Sequence, residues 1–143
     1  MIETHACRTL TVSIARAPDE VYKFVSNPEN LPAWATGLCR AVAQTREGWV
    51  VDTQEGPAGI YFAPANPFGV LDHHVDLPSG ERIFSPMRVV PNGSGSELLF
   101  TLFRLPRISE DQFTRDASLV DRDLRTLNTD AVERRSRVLA GSC

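Results

Sequence analysis

His73 and His74 stand side by side between Asp72 and Asp76, and their types could move protons or hold a metal. A histidine titrates near neutrality, so either could serve as acid or base. Neighbouring residues of a strand point to opposite faces, however, so the pair cannot readily close on one ion, and no metal site is expected. Which histidine faces inward follows from turn geometry. Asn92-Gly93-Ser94-Gly95 between two apolar runs predicts a tight hairpin. Symmetric closure sets Pro91 opposite Ser96, Val89 opposite Leu98, Met87 opposite Phe100 and Ser85 opposite Leu102. If the turn at Pro78-Ser79-Gly80 also pairs odd with odd positions, Leu71, His73 and Val75 join that face with Ile83. The face is then apolar throughout except for His73 and Ser85. The opposite face carries Asp72, His74, Asp76, Phe84, Arg88, Glu97, Leu99, Thr101 and Phe103, and Arg88 is expected to neutralise its acids. A one-residue slip would exchange the two faces.

His73 therefore has two readings. It could contact a ligand oxygen or act as acid or base, with Ser85 orienting it or the substrate. The competing reading is a core histidine bonded to Ser85 or to a backbone carbonyl. Other chemistries lack support. The chain has no GxSxG, no cysteine with a histidine partner in a motif and no glycine-rich phosphate loop.

The elements that must position these residues are read from periodicity. Phe113, Ala117, Val120, Leu124, Leu127 and Ala131 recur at spacings of four and three, which predicts one long amphipathic helix from Ser109 to about Val138. Asp116, Arg122, Asp123, Arg125, Asp130 and Glu133 suit its solvated face. Ser109 with Glu110, Asp111 and Gln112 reads as an N-cap and capping box; Arg134, Arg135 and Arg137 suit the far end, and Gly141 can stop it. Leu10, Val12 and Ile14 alternate with polar residues as in a half-buried strand. Ala17-Pro18-Asp19-Glu20 opens a short helix with Val21, Phe24 and Val25 inward, ended by Ser26-Asn27-Pro28. Glu29 to Ala35, with Leu31 and Trp34, is a second short helical piece. Strands are expected at 38–45, 49–54, 59–63, 68–77, 81–90 and 97–104.

The 143 residues suit one domain, 1–143, with a core and a modest cavity. Fifteen basic against eighteen acidic residues, a net charge of −3, give no electrostatic case for nucleic-acid binding. No apolar run reaches the roughly 20 residues of a membrane span, and the first residues lack the layout of a signal peptide. Three cysteines without CxxC spacing suggest reduced thiols, a cytoplasmic location and no redox or metal cofactor.

Strand, two short helices, an antiparallel series and a long helix resemble the START-like, or helix-grip, fold of the SRPBCC superfamily, which includes polyketide cyclases, lipid-transfer START domains and the birch-pollen-allergen family. The most specific piece is Ala17-Pro18-Asp19-Glu20-Val21-Tyr22-Lys23-Phe24-Val25 with Pro28-Glu29-Asn30-Leu31-Pro32-Ala33-Trp34, which looks like the polyketide cyclase/dehydrase pattern. Asn66-Pro67-Phe68-Gly69-Val70-Leu71-Asp72-His73 and Met87-Arg88-Val89-Val90-Pro91-Asn92-Gly93 are similar to small bacterial members. The resemblance implies an α+β fold, a curved antiparallel sheet of about six to seven strands around the C-terminal helix, with two short helices after the first strand. It implies an apolar cavity between sheet and helix, of the order of ~300–1,000 Å³. Trp34, Leu71, His73, Ser85, Met87, Phe100, Leu102, Phe113, Ala117, Val120 and Leu124 are its expected lining. No cofactor is expected. The functions implied are binding of a small hydrophobic molecule (lipid, isoprenoid or aromatic), or a cyclase-like reaction with His73 as acid or base and Ser85 beside it. A third is an interaction role, with Phe84, Leu99 and Phe103 of the outer face forming a homodimer or partner surface. Tyr61 and Phe62 must face opposite ways, and either could be the inner one.

Overall fold

The computed structural model describes residues 1–129. The chain runs β1 (Cys7–Ile14), α1 (Pro18–Val25), a 3-10 turn (Pro28–Asn30), α2 (Leu31–Trp34), β2 (Val42–Thr45), β3 (Gly48–Thr53), β4 (Gly56–Phe62), β5 (His73–Asp76), β6 (Arg82–Ser85), β7 (Met87–Asn92), β8 (Gly95–Phe103) and α3 (Glu110–Thr129). Ala131, Asp130, Glu133, Arg134, Arg135, Arg137 and Gly141, to which the sequence extends the long helix, lie outside the described residues.

All pairings are antiparallel. One sheet has the order β2-β3-β4-β5-β6 and the other β1-β8-β7. The chain passes from one to the other between β6 and β7, which the sequence predicts as a single strand over 81–90. Pro86 breaks it, because proline has no N–H to give to a ladder. Beyond the break the chain still pairs on both sides: Leu71 N–H bonds the Met87 carbonyl at 2.9 Å, Val89 N–H bonds Gly69 at 3.0 Å, and Thr101 N–H bonds Pro86 at 3.0 Å. Gly69 is needed where the strands close up, since its φ is +71° and a Cβ there would sit 2.2 Å from the Val89 carbonyl oxygen.

The hairpin closes as its turn sequence dictates, with Pro91 opposite Ser96, Val89 opposite Leu98 and Met87 opposite Phe100. Ser85 departs from the expectation. Its registered partner is His73 rather than Leu102, because the β7–β8 ladder ends at the Pro86 break. Two other expected strands are shorter than predicted. Residues 38–41 are not strand, since Leu38 and Cys39 donate back to the Ala35 carbonyl and close α2. Residues 68–72 lead into β5 with one isolated bridge, Val70 to Arg88.

The two short helices form a clasp. α1 buries Val21, Phe24 and Val25, and the buried Asn30 amide donates to the Phe24 carbonyl at 2.9 Å, tying the second piece to the first. Ser109 caps α3, accepting from Gln112 N–H at 3.1 Å. The reciprocal half of a capping box is not formed, because the Gln112 side chain bonds Asp116 instead. α3 lies against β1 and α2 and buries Phe113, Ala117, Leu124 and Leu127. Each large apolar side chain so buried contributes about 1.5–3 kcal/mol. Among the described residues no helix is long and apolar enough to cross a membrane.

Candidate functional site

Where α3 and the clasp stand away from the sheet, they leave a cavity of about 660 Å³. Val75, Leu77, Ile83, Phe100 and Leu102 line it from the sheet. Leu31, Trp34, Ala35 and Leu38 line it from the clasp, and Leu119, Val120 and Asp123 from α3. Its rim is polar: Gln54 and Glu55 come from the β3–β4 turn, Arg107 and Ser109 from the loop before α3, and Gln112 and Asp116 from the helix. Arg107 crosses this rim to Glu81 in the β5–β6 turn, its Nε 2.9 Å from Oε1.

His73 and Ser85 are the polar pair on the sheet side, side by side on β5 and β6 and only 7% and 6% exposed. The His73 ring lies between Phe62 (centroids 4.9 Å apart) and Phe100 (5.8 Å). Its Nδ1 is 3.0 Å from the Leu71 carbonyl oxygen. A carbonyl can only accept, so Nδ1 carries the hydrogen, and in the neutral ring Nε2 carries the lone pair. Burial holds the ring's pKa below the ordinary 6.5, although the Leu71 bond and Asp72 work the other way. Neither Nε2 nor the Ser85 hydroxyl has a hydrogen-bond partner among the described residues. The indole Nε1 of Trp34 is also buried without an acceptor.

The predicted lining residues divide. Trp34, His73, Ser85, Phe100, Leu102 and Val120 come together around the cavity. Leu71, Met87, Phe113, Ala117 and Leu124 do not; they are buried in packed core. The cavity is lined at the Val75, Leu77 and Ile83 end of the sheet, whereas Leu71 and Met87 belong to the zone where β7 closes on the preceding chain. Phe103, expected outside, lines the cavity instead, which removes it from the outer apolar patch and leaves Phe84 and Leu99 there. Phe62 is the inner member of its pair, and Tyr61 stacks on His74 of the outer face at 4.9 Å. Outside, Arg88 pairs with Asp72 at 3.0 Å, while Asp76 is held by Arg82 at 2.7 Å.

Asp123, like Phe103, lies on the other side from the one its pattern implies. Expected on the solvated face, it is 6% exposed and lines the cavity. Its carboxylate accepts from Gly37 N–H at 3.1 and 3.3 Å and from the Thr36 hydroxyl at 3.4 Å, so it latches α3 to the loop after α2. Burial pushes its pKa above the ordinary value, against the Gly37 bond and Arg122. Gly37 permits this approach, since a Cβ there would meet Asp123 Oδ2 at 2.9 Å. The thiol of the buried Cys39 is pushed up to about 11 by burial and by Asp123 and Asp52, which keeps it protonated and unreactive.

No protein-family model matches the chain, and no curated protein matches it significantly in sequence. Solved structures do match. XoxI from Bacillus cereus superposes with a TM-score of 0.71 at 15% identity, over 91% of this chain and 98% of its own. A START superfamily protein from Mycobacterium smegmatis gives 0.61 at 18% identity, over 92% and 99%. The fold is START-like. Ara h 8.0201 shares it, with a TM-score of 0.65 at 9% identity, over 91% and 99%. At such identities the likeness is one of architecture, and the START-like fold hosts binders and enzymes alike. The chemistry must therefore be argued from the cavity itself.

Proposed function

We propose that the protein binds a small hydrophobic molecule, of lipid, isoprenoid or aromatic type, in the cavity between sheet and α3. The carrying observation is the cavity: about 660 Å³, with apolar walls from Val75, Ile83, Phe100, Leu102 and Val120. That volume lies in the ordinary range of small-molecule sites, and a few convergent polar groups among apolar walls is their usual make-up. Native mass spectrometry of the purified protein, followed by solvent extraction, tests it. An apolar molecule retained at one per chain is the expected result. A protein that retains none and takes up none from a panel of lipids and aromatics would refute the reading.

One observation favours a second reading, a cyclase- or aromatase-like enzyme. His73 presents an unbonded ring nitrogen in a cavity-lining side chain, with an unbonded Ser85 hydroxyl next to it. In this reading His73 takes or gives a proton during condensation or dehydration of a poly-carbonyl substrate, and Ser85 orients it. Loss of turnover in His73→Ala with thermal unfolding still cooperative supports it; undiminished turnover removes it.

A further inference from the structure

The polar atoms lining the cavity can be sorted by whether they are already engaged. On the rim, the Thr53 hydroxyl donates to the Gly56 carbonyl, Ser109 caps α3, Gln112 bonds Asp116 and Arg115, and Arg107 is held by Glu81. In the wall, Asp123 is occupied by Gly37 and Thr36. Besides Gln54 and Glu55 at the rim and the Trp34 indole N–H on the clasp, that leaves two unbonded groups on the sheet side, His73 Nε2 and Ser85 Oγ, in registered residues of adjacent strands. Side chains opposed in this way have Cβ atoms about 4.5–5.5 Å apart and share one face, which puts both residues within the span of one small ligand group.

Their chemistry is complementary. Since Nδ1 is committed to the Leu71 carbonyl, the neutral ring offers only an acceptor at Nε2, while a serine hydroxyl can donate or accept. A ligand carbonyl would satisfy Ser85 and leave Nε2 facing another lone pair. A carboxylate would do the same, and it would have to pass a rim and wall carrying Glu55, Asp116 and Asp123 against one cation, Arg107, already paired. An apolar group would leave both atoms buried and unsatisfied, which costs free energy. A hydroxyl group alone of these donates to one and accepts from the other.

We propose that the cavity selects an uncharged hydrophobic alcohol or phenol, its hydroxyl donating to His73 Nε2 and accepting from the Ser85 hydroxyl, and that it discriminates against the matching carboxylate. This rests on the ligand-binding reading above and narrows it to one class. Burial, which holds the His73 pKa down, keeps the ring in the acceptor form at neutral pH.

Three probes of one skeleton test the selection: naphthalene, 2-naphthol and 2-naphthoate, titrated by calorimetry into the full chain at pH 7.5. Two hydrogen bonds at about 1 kcal/mol each predict that 2-naphthol binds at least about tenfold tighter than naphthalene. 2-Naphthoate is expected to bind more weakly than either. In His73→Phe, and to a lesser degree in Ser85→Ala, the ratio of naphthol to naphthalene affinity should fall toward one. Equal affinities for 2-naphthol and naphthalene in the unaltered protein would overturn the proposal, as would 2-naphthoate matching 2-naphthol. A preference that survives in both variants would overturn the assignment to His73 and Ser85. If no probe binds, the selection is overturned, and the lipid and aromatic panel decides the ligand-binding reading separately. If naphthalene binds and 2-naphthol gains nothing, only the selection fails.

Discussion

Asp123→Ala should loosen the wall of the cavity, and its magnitude can be worked from the latch. The substitution strands the Gly37 N–H, which lies 3.1 Å from Oδ2, and removes the Thr36 hydroxyl's acceptor at 3.4 Å. Losing an acceptor for a partly buried donor costs about 1–3 kcal/mol. For a chain of this size, at ~2–4 °C per kcal/mol, a loss near the middle of that range lowers Tm by about 5 °C. Asp123→Asn keeps an acceptor oxygen and sheds a buried charge, so its loss should stay under about 1 kcal/mol. Gly37→Ala attacks the latch from the other side, because the new Cβ meets Oδ2 at 2.9 Å and the Leu119 Cβ at 3.2 Å. With Asp123 already truncated the methyl has room, so the two losses should add to less than their sum. Acid sharpens the comparison. Burial raises the folded carboxyl above the ordinary 3.8, so the native state holds a proton that the unfolded chain has released. The Asp123 contribution therefore grows as pH falls through the folded pKa toward 3.8, and the gap between the parent protein and Asp123→Ala should widen there. Urea titrations of the parent, Asp123→Ala, Asp123→Asn, Gly37→Ala and the Asp123→Ala/Gly37→Ala double variant near pH 4 and at pH 7.5 are the assay. Asp123→Ala within 0.5 kcal/mol of the parent, or strictly additive losses, would refute the latch; here ~0.5 kcal/mol is the usual scatter of surface substitutions.

Other outcomes follow from the same geometry. Val120 lines the cavity and Leu124 is packed at 1% exposure, so Val120→Trp should cut uptake of an apolar probe more than stability. Leu124→Trp should instead destabilise by about 1–3 kcal/mol, read by urea unfolding. His73 is buried with its pKa lowered, so the unfolded chain binds the extra proton between the folded pKa and about 6.5, and stability should fall as pH drops through that window. Asp72 favours the proton and His74 opposes it, and His73→Phe should flatten the slope in a thermal-unfolding pH series. Glu81→Ala removes a solvent-screened surface pair, so Tm should barely move. Ligand exchange measured by stopped flow should nevertheless speed up, because the Arg107 bridge across the rim is gone.

The parts of the fold legible in the sequence were those set by local period and turn chemistry. The α3 stripe follows from a spacing of four and three, and the hairpin at Asn92–Gly95 fixes the inward face of three strands. The clasp follows from two short helical pieces with prolines between and within them. What could not be read depends on where distant segments meet. Asp123 looked like one more solvated helix acid, since its acceptor role depends on an amide 86 residues earlier in the chain. The pairing of His73 with Ser85 follows from the turn at Pro78–Gly80, whereas the loss of the Ser85–Leu102 pairing at the Pro86 break needed the two sheets to be in place. The cavity's position was missed in part for the same reason. Inward-facing residues share a surface along the whole sheet, and only the path of α3 decides which, such as Leu102, face open space and which, such as Met87, are covered.

The proposed function requires an apolar molecule to enter the space bounded by the sheet, the clasp and α3. Methyl-resolved NMR of the full chain titrated with 2-naphthol tests it most directly. Saturable shifts are expected at Val75, Ile83, Leu102 and Val120, with Val21 and Ile14 of the packed core unmoved. Shifts confined to the outer face around Val90 and Leu99, or none at all, would contradict it.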